Sequence, residues 1–215
     1  MAGVRQFEEE AVLEQVLEVF RRKGLRATSM LDLAQATGVQ RGSLYHGYGG
    51  KEALFHLAFQ RYEERFLSAA AQALEDPDPR AALRRFFAFV LANMTMGSPS
   101  RGCLTTKTAV ELDSVGRAVR GKVRKLLDGL HVIVAASLSR PAARKALAVP
   151  PDEAAHIVVT FTRGLAIMER VYGDRKRLSA TAEALVQAMV RVKVHGSNRP
   201  RAPARSAAAR TPPRG

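Results

Sequence analysis

From about residue 8 to residue 195, apolar side chains recur at three- and four-residue intervals, and no stretch alternates apolar with polar at period two. Helical spacing over that length confines the chain to helix packed on helix, an all-α fold. Leu13, Val16, Leu17 and Phe20 share one face of a helix over 8–23, stopped at Gly24. Ser29-x-x-Asp32 opens a short helix as a capping box, the serine hydroxyl taking an orphan amide. "TGV" (37–39) interrupts; a second short helix follows over about 40–46, and Gly49-Gly50 ends it. The spacing then predicts helices over 51–74, 80–96, 103–112, 115–138, 152–172 and 178–195, with a loop at "GSPSRG" (97–102) and a broken connection over 139–151.

A chain of 215 residues is long enough to bury a core as one ordinary domain or two small ones. It has no apolar run of the ~18 residues that a bilayer span needs, so no membrane partner is expected. The early part is acidic and amphipathic, unlike a signal peptide, and the single Cys103 excludes an intramolecular disulfide. Both point to the cytoplasm. No C-x-x-C, H-E-x-x-H or phosphate-loop motif is present, and no cofactor is expected.

The formal net charge of +14 directs attention to a polyanion. It is unevenly spread. Glu8, Glu9, Glu10, Glu14 and Glu18 come first, whereas residues 21–51 hold Arg21, Arg22, Lys23, Arg26, Arg41 and Lys51 against Asp32 alone. The stretch 196–215 holds five arginines and no acid, and its Pro/Ala/Arg composition is that of a disordered basic tail.

The segment "TGVQRGSLYHGYGGKEALF" (37–55) carries two tyrosines, one histidine, two cations and five glycines, which is poor material for a core. Two short helices joined by "TGV" form a helix-turn-helix: Gly38 turns with positive φ and Val39 plugs the angle. The second helix is narrow enough for a DNA major groove. Gly42 and Ser43 let the backbone approach base edges, Arg41 can fork onto guanine, and Tyr45 and His46 offer hydrogens to phosphate. Lys51 opposes the dipole in the first turn of the next helix, a position that suits a bound phosphate.

These residues resemble the TetR family of transcriptional regulators. The likeness rests on "VFRRKGLRATS", "LDLAQATGV" and "GSLYHGYGGKEALF", the last following an L-Y-x-x-[FY]-x-x-K-[ED]-x-L pattern as Leu44, Tyr45, Tyr48, Lys51, Glu52 and Leu54. It covers roughly residues 8–60. "RGCLTTKTAVEL" is similar to an element of one branch, taken as AcrR-like. The resemblance implies an N-terminal three-helix DNA-binding domain (1–50), a larger helical effector-binding and dimerisation domain (51–195) and the tail (196–215). It places base reading at Arg41, Gly42 and Ser43, phosphate grip at Tyr45 and Lys51, and backbone contact at Thr28 and Ser29. Gln40 stands where Ser or Thr usually caps the recognition helix, so it is a weak cap or a base reader. Gly47 replaces a bulky residue and should fray the helix end, and Gly50 replaces a common capping Ser or Asn.

The implied function is a homodimeric, ligand-responsive repressor on a palindromic double-stranded DNA operator. Ile157, Phe161, Leu165, Met168, Leu185 and Met189 are the candidate dimer contacts. A small, mainly apolar effector is expected against Phe86, Phe89, Val90, Met94, Leu104, Leu130 and Phe161, with Thr105, Thr106 or His131 as polar handles. The charge alone also admits a sequence-nonspecific nucleic-acid-binding protein. A helical small-molecule enzyme is the third reading, but no nucleophile–base pair supports it, and the protein is read as no enzyme. His56, His131, His156 and His195 lie apart without metal-ligand spacing, so no metal site is expected. Cys103 reads as a small buried apolar residue, and Arg117, Arg120, Lys122, Arg124 and Lys125 as a solvated face.

Overall fold

The computed structural model describes residues 2–113 and 116–191, with side chains from residue 9 onward. The basic tail at 196–215 and His195 lie outside the described residues. The helices run in the order α1 (Ala2–Lys23), α2 (Met30–Thr37), α3 (Arg41–Tyr48), α4 (Lys51–Ala73), α5 (Pro79–Thr95), α6 (Leu104–Val110), α7 (Arg117–Leu138), α8 (Pro141–Ala146), α9 (Pro151–Tyr172) and α10 (Arg175–Met189). Among the described residues the only pairing of β type is an isolated bridge between Leu147 and Val190.

Helix starts follow local chemistry. The Ser29 hydroxyl accepts from the Asp32 amide at 3.1 Å while the Asp32 carboxylate accepts from the Ser29 amide at 2.8 Å, a complete capping box. Asp78 accepts from the Ala81 amide at 3.0 Å ahead of Pro79, and Asp174 from the Arg177 amide at 3.0 Å. The turn between α2 and α3 is made by Gly38 at φ 67°, as its sequence position predicts.

Two elements differ from the periodicity. Residues 139–151 contain α8, a six-residue helix with Pro141 in its first turn; it is too short to show an apolar face of its own. The last helix ends at Met189 instead of 195. There the chain turns away to meet the segment after α8, through Ala148 N–H to Met189 O (2.8 Å) and Arg191 N–H to Ala146 O (2.7 Å).

Helix α4 is the spine. Phe55, Phe59, Tyr62 and Phe66 follow at spacings of four, three and four, so all four rings fall on one face. They form a continuous ladder: Phe20–Phe55 at 5.2 Å, Phe55–Phe59 at 5.3 Å, Phe59–Tyr62 at 5.9 Å, Tyr62–Phe66 at 5.6 Å and Phe66–Phe89 at 5.3 Å. Each such pair adds about 0.5–1.5 kcal/mol beyond burial. One apolar core thus runs without a break from α1 to the helices beyond α5.

Some charges serve this packing. Arg21, one of the cations grouped with the basic stretch, is buried; its guanidinium donates to Asn93 O (3.2 Å) and Oδ1 (3.0 Å) and stacks over Tyr62 at 5.2 Å. Lys23 pairs with Asp32 at 2.5 Å. Lys125, expected on a solvated face, reaches the buried Glu63 at 3.1 Å. The packing of α7 on α9 also brings His131 and His156, distant in sequence, to 3.1 Å.

Candidate nucleic-acid interface and effector cleft

Helix α3 is anchored by one side chain. Leu44 is fully buried, and around it Gln40, Arg41, Gly42, Ser43, Tyr45, His46 and Gly47 are all exposed. Val39 and Tyr48 are half-buried against the core. A helix with one buried anchor and a bare polar surface presents that surface to a partner, and its small and cationic residues suit a DNA groove. Gln40 makes no side-chain cap bond. Its amide is free to meet a base edge.

The expected fray at Gly47 is absent. Helix α3 continues to Tyr48 because Gly49 N–H bonds to Tyr45 O at 2.9 Å. Gly50 has φ 121° and ψ −174°, a conformation closed to side-chain-bearing residues, which accounts for glycine where a capping Ser or Asn was expected. A Cβ there would also rest 3.5 Å from the Tyr45 ring. This hinge sets α4 so that Lys51 lies in its first turn, with Nζ 3.4 Å from Arg26 O. The lysine therefore stands beside the α1–α2 turn and the free amides of α4, a combination that attracts phosphate.

Thr28 does not join this surface. Its side chain is 2% exposed and its hydroxyl donates to Gly24 O at 2.6 Å, so it closes the end of α1. Ser29 is exposed, though its hydroxyl is occupied by the capping box.

Helix α6 faces two ways. Toward α1, the Lys107 ammonium donates to Arg21 O (2.5 Å) and Arg22 O (2.6 Å), the unpaired carbonyls of the last turn. The Glu111 carboxylate accepts from the amides of Leu25 (3.0 Å) and Arg26 (3.4 Å). Through these two bonds Glu111 ties α6 to the turn after α1. Toward α9, the helix lines a cleft of about 210 Å³ with Cys103, Thr106, Lys107, Val110, Ala166, Ile167 and Arg170. Burial pushes the Cys103 thiol up, but Arg163, with Nη1 3.4 Å from Sγ, leads a set of donors that brings it below its ordinary value. Sequence reasoning missed Arg163 and Arg170 because nothing in the spacing of α9 links them to residue 103.

The residues expected around an effector are arranged differently. Phe86, Val90, Met94, Leu104 and Leu130 are buried in the core, and Phe89 and Phe161 are half-buried. The 210 Å³ cleft includes none of these seven. Of the candidate dimer contacts, Ile157 and Met168 are exposed, and Phe161 and Leu185 are half-buried. Leu165 and Met189 are buried within the chain and have no surface left for a second copy.

The geometry agrees with what the chain is similar to. The family model for bacterial regulatory proteins of the tetR family matches residues 12–58, and the tetracyclin repressor-like C-terminal domain matches residues 79–185. The HTH-type transcriptional repressor ComR of Escherichia coli is 31% identical over 108 residues, 49% of this chain and 51% of that one. The chain thus spans about half the length of the curated relatives it matches. A TetR-family regulator from Agrobacterium tumefaciens has the same fold, with a TM-score of 0.78 at 20% identity over 86% of this chain and 98% of that one. CifR, a TetR-family regulator solved with 26-bp double-strand operator DNA, superposes with a TM-score of 0.72 at 25% identity over 82% and 94%. Among the described residues no helix is long and apolar enough to cross a membrane. This chain belongs to the tetR family of bacterial regulatory proteins.

Proposed function

We propose that the protein is a ligand-responsive repressor of the AcrR-like branch that binds a palindromic operator as a homodimer and releases it when a small effector enters the cleft between α6 and α9. The observation that carries this reading is the double engagement of α6. One face lines the cleft and the other holds the end of α1 through Lys107 and the following turn through Glu111. A molecule that shifts α6 relative to α9 also shifts the helices that carry α3. Release follows only if the effector binds the displaced arrangement better.

The cleft wall of Val110, Ala166 and Ile167 suits an apolar body, and Lys107 and Arg170 at its edge favour an acidic or strongly polar group. The buried cluster of Phe86, Val90, Met94, Leu104 and Leu130 supports this wall from inside. A larger apolar effector would have to open that core. Dimerisation is supported by α9. Ile157, Phe161, Gly164, Met168 and Val171 follow at spacings of four, three, four and three, and all but the half-buried Phe161 are exposed. An apolar seam of that period on the outside of a chain fits a second copy of itself.

The test is to sequence the DNA retained by the purified protein from a random pool and then measure binding to the recovered site across salt concentrations. A two-fold symmetric site bound by two chains, and weakened by a compound that raises the melting temperature, is the expected result. Equal affinity for recovered and random DNA at every salt would show nonspecific charge-driven binding and overturn the proposal.

A further inference from the structure

Away from the DNA-binding surface and the α6–α9 cleft, α7 and α9 bring three metal-ligating side chains together. His131 Nε2 lies 3.1 Å from His156 Nδ1 and 3.3 Å from Asp152 Oδ1, and His156 Nδ1 lies 3.6 Å from Asp152 Oδ2. The ligand atoms of all three fall within 4.8 Å of one another. We propose that His131, Asp152 and His156 form a binding site for a divalent late first-row transition ion, with Zn²⁺ as its representative.

The separations are those of a coordination shell. Bonds of about 2.0–2.1 Å to nitrogen and oxygen in a tetrahedron leave donor atoms about 3.3–3.4 Å apart. The three observed distances straddle that value. Asp152 and His156 are four residues apart on α9, so one helical face offers both, and His131 comes from the facing turn of α7. His131 is half-buried and its ring lies against that of His156, with centroids 4.1 Å apart and planes tilted by 49°, so packing orients it. Asp152 and His156 are exposed, leaving the remaining coordination positions to water.

Two ring nitrogens 3.1 Å apart repel unless a proton lies between them, and His156 Nδ1 is also 3.0 Å from Asp152 O. A cation replaces that proton, which leaves to solvent, and draws in both lone pairs and the carboxylate. Two imidazoles with one carboxylate select Zn²⁺, Ni²⁺ or Cu²⁺ over Mg²⁺ and Ca²⁺, which prefer all-oxygen shells. The amino end of α9 carries partial positive charge that opposes a cation, and the carboxylates of Asp152 and Glu153 in its first turn offset it. Sequence reading set these histidines aside because the spacing between 131 and 156 means nothing until α7 packs on α9.

The full chain, stripped with a chelator, should be titrated with Zn²⁺ against a chromophoric competitor and with Co²⁺ by visible absorption. One ion per protomer with an intense four-coordinate Co²⁺ spectrum is expected. His156→Ala and His131→Gln should each weaken binding at least tenfold and abolish the Zn²⁺-dependent rise in melting temperature, while Cys103→Ser and His195→Ala leave both intact. His156 is exposed, so its replacement tests the site without threatening the fold. Absence of Zn²⁺ binding, undiminished wild-type affinity in either histidine variant, loss of the spectrum in Cys103→Ser, or equal affinity for Mg²⁺ would each overturn the proposal.

Discussion

The Lys107 ammonium lies 2.5 Å from the carbonyl oxygen of Arg21, so the short helix α6 is bonded directly to the last turn of α1. Partial burial and then the nearby Arg170 lower the pKa of Lys107, while Glu111 opposes them. The ion is kept by what it binds, since the terminal carbonyls of a helix carry partial negative charge. Lys107→Met removes a charged donor from two carbonyls and should lower stability by about 1.5–3 kcal/mol in denaturant unfolding. An effector that still binds should then lose most of its influence on operator affinity. An unchanged effector response in the variant would show that α6 is not the link.

Arg41 and Lys51 should separate by specificity. Arg41→Ala is expected to cost about 1–3 kcal/mol on the operator and to relax preference at one base pair, as loss of a bidentate base contact does. Lys51→Ala should weaken operator and random DNA alike and flatten the salt dependence by about one ion. Fluorescence anisotropy on both DNAs over a range of salt distinguishes them. Equal losses on both DNAs for Arg41→Ala would reassign Arg41 to the phosphate backbone.

Burial decides which α9 substitution reports on assembly. Met168 is 48% exposed, whereas Leu165 is 3% exposed. Met168→Glu should yield folded monomers by sedimentation and abolish operator binding. Leu165→Glu should unfold the chain instead, because a carboxylate would enter the core without a partner. A dimeric Met168→Glu protein would move the interface off this seam.

Glu183 is held down to about 2, first by Arg84 through paired contacts of 2.7 and 2.5 Å and then by Gln187. Its folded pKa lies below its ordinary value of 4.5, so the contribution of this α5–α10 pair is present above pH 4.5 and is lost as pH falls toward 2. The pair is solvent-facing, so water screens it and its contribution is small. Glu183→Gln should therefore destabilise slightly at pH 7 and not at pH 2, as followed by thermal unfolding. An equal difference at both pH values would show that packing, not charge, is responsible.

Arg163 should control the reactivity of Cys103. Burial raises this thiol, and the guanidinium 3.4 Å from Sγ is first among the influences that bring it down. Arg163→Met should slow alkylation of Cys103 by iodoacetamide near neutral pH, because the thiolate is the reacting form. Equal rates in both proteins would mean that access to the cleft, and not ionisation, limits the reaction.

The sequence by itself determined the helical architecture, the helix-turn-helix and its exposed face. Those depend on contacts within a turn or two: the Ser29–Asp32 box, Gly38 at the bend, and Leu44 as the single apolar residue amid polar ones. Tertiary structure decided what distant segments do to each other. Arg21 reads as a DNA-facing cation until α5 brings up Asn93. The Phe86, Val90 and Leu130 side chains read as a cavity wall, and the packed helices bury all three in the core. Lys107 against α1, Arg163 against Cys103 and His131 against His156 join positions 25 to 86 residues apart. No periodicity encodes such pairings, because they depend on crossing angles and offsets that the whole set of apolar faces settles together.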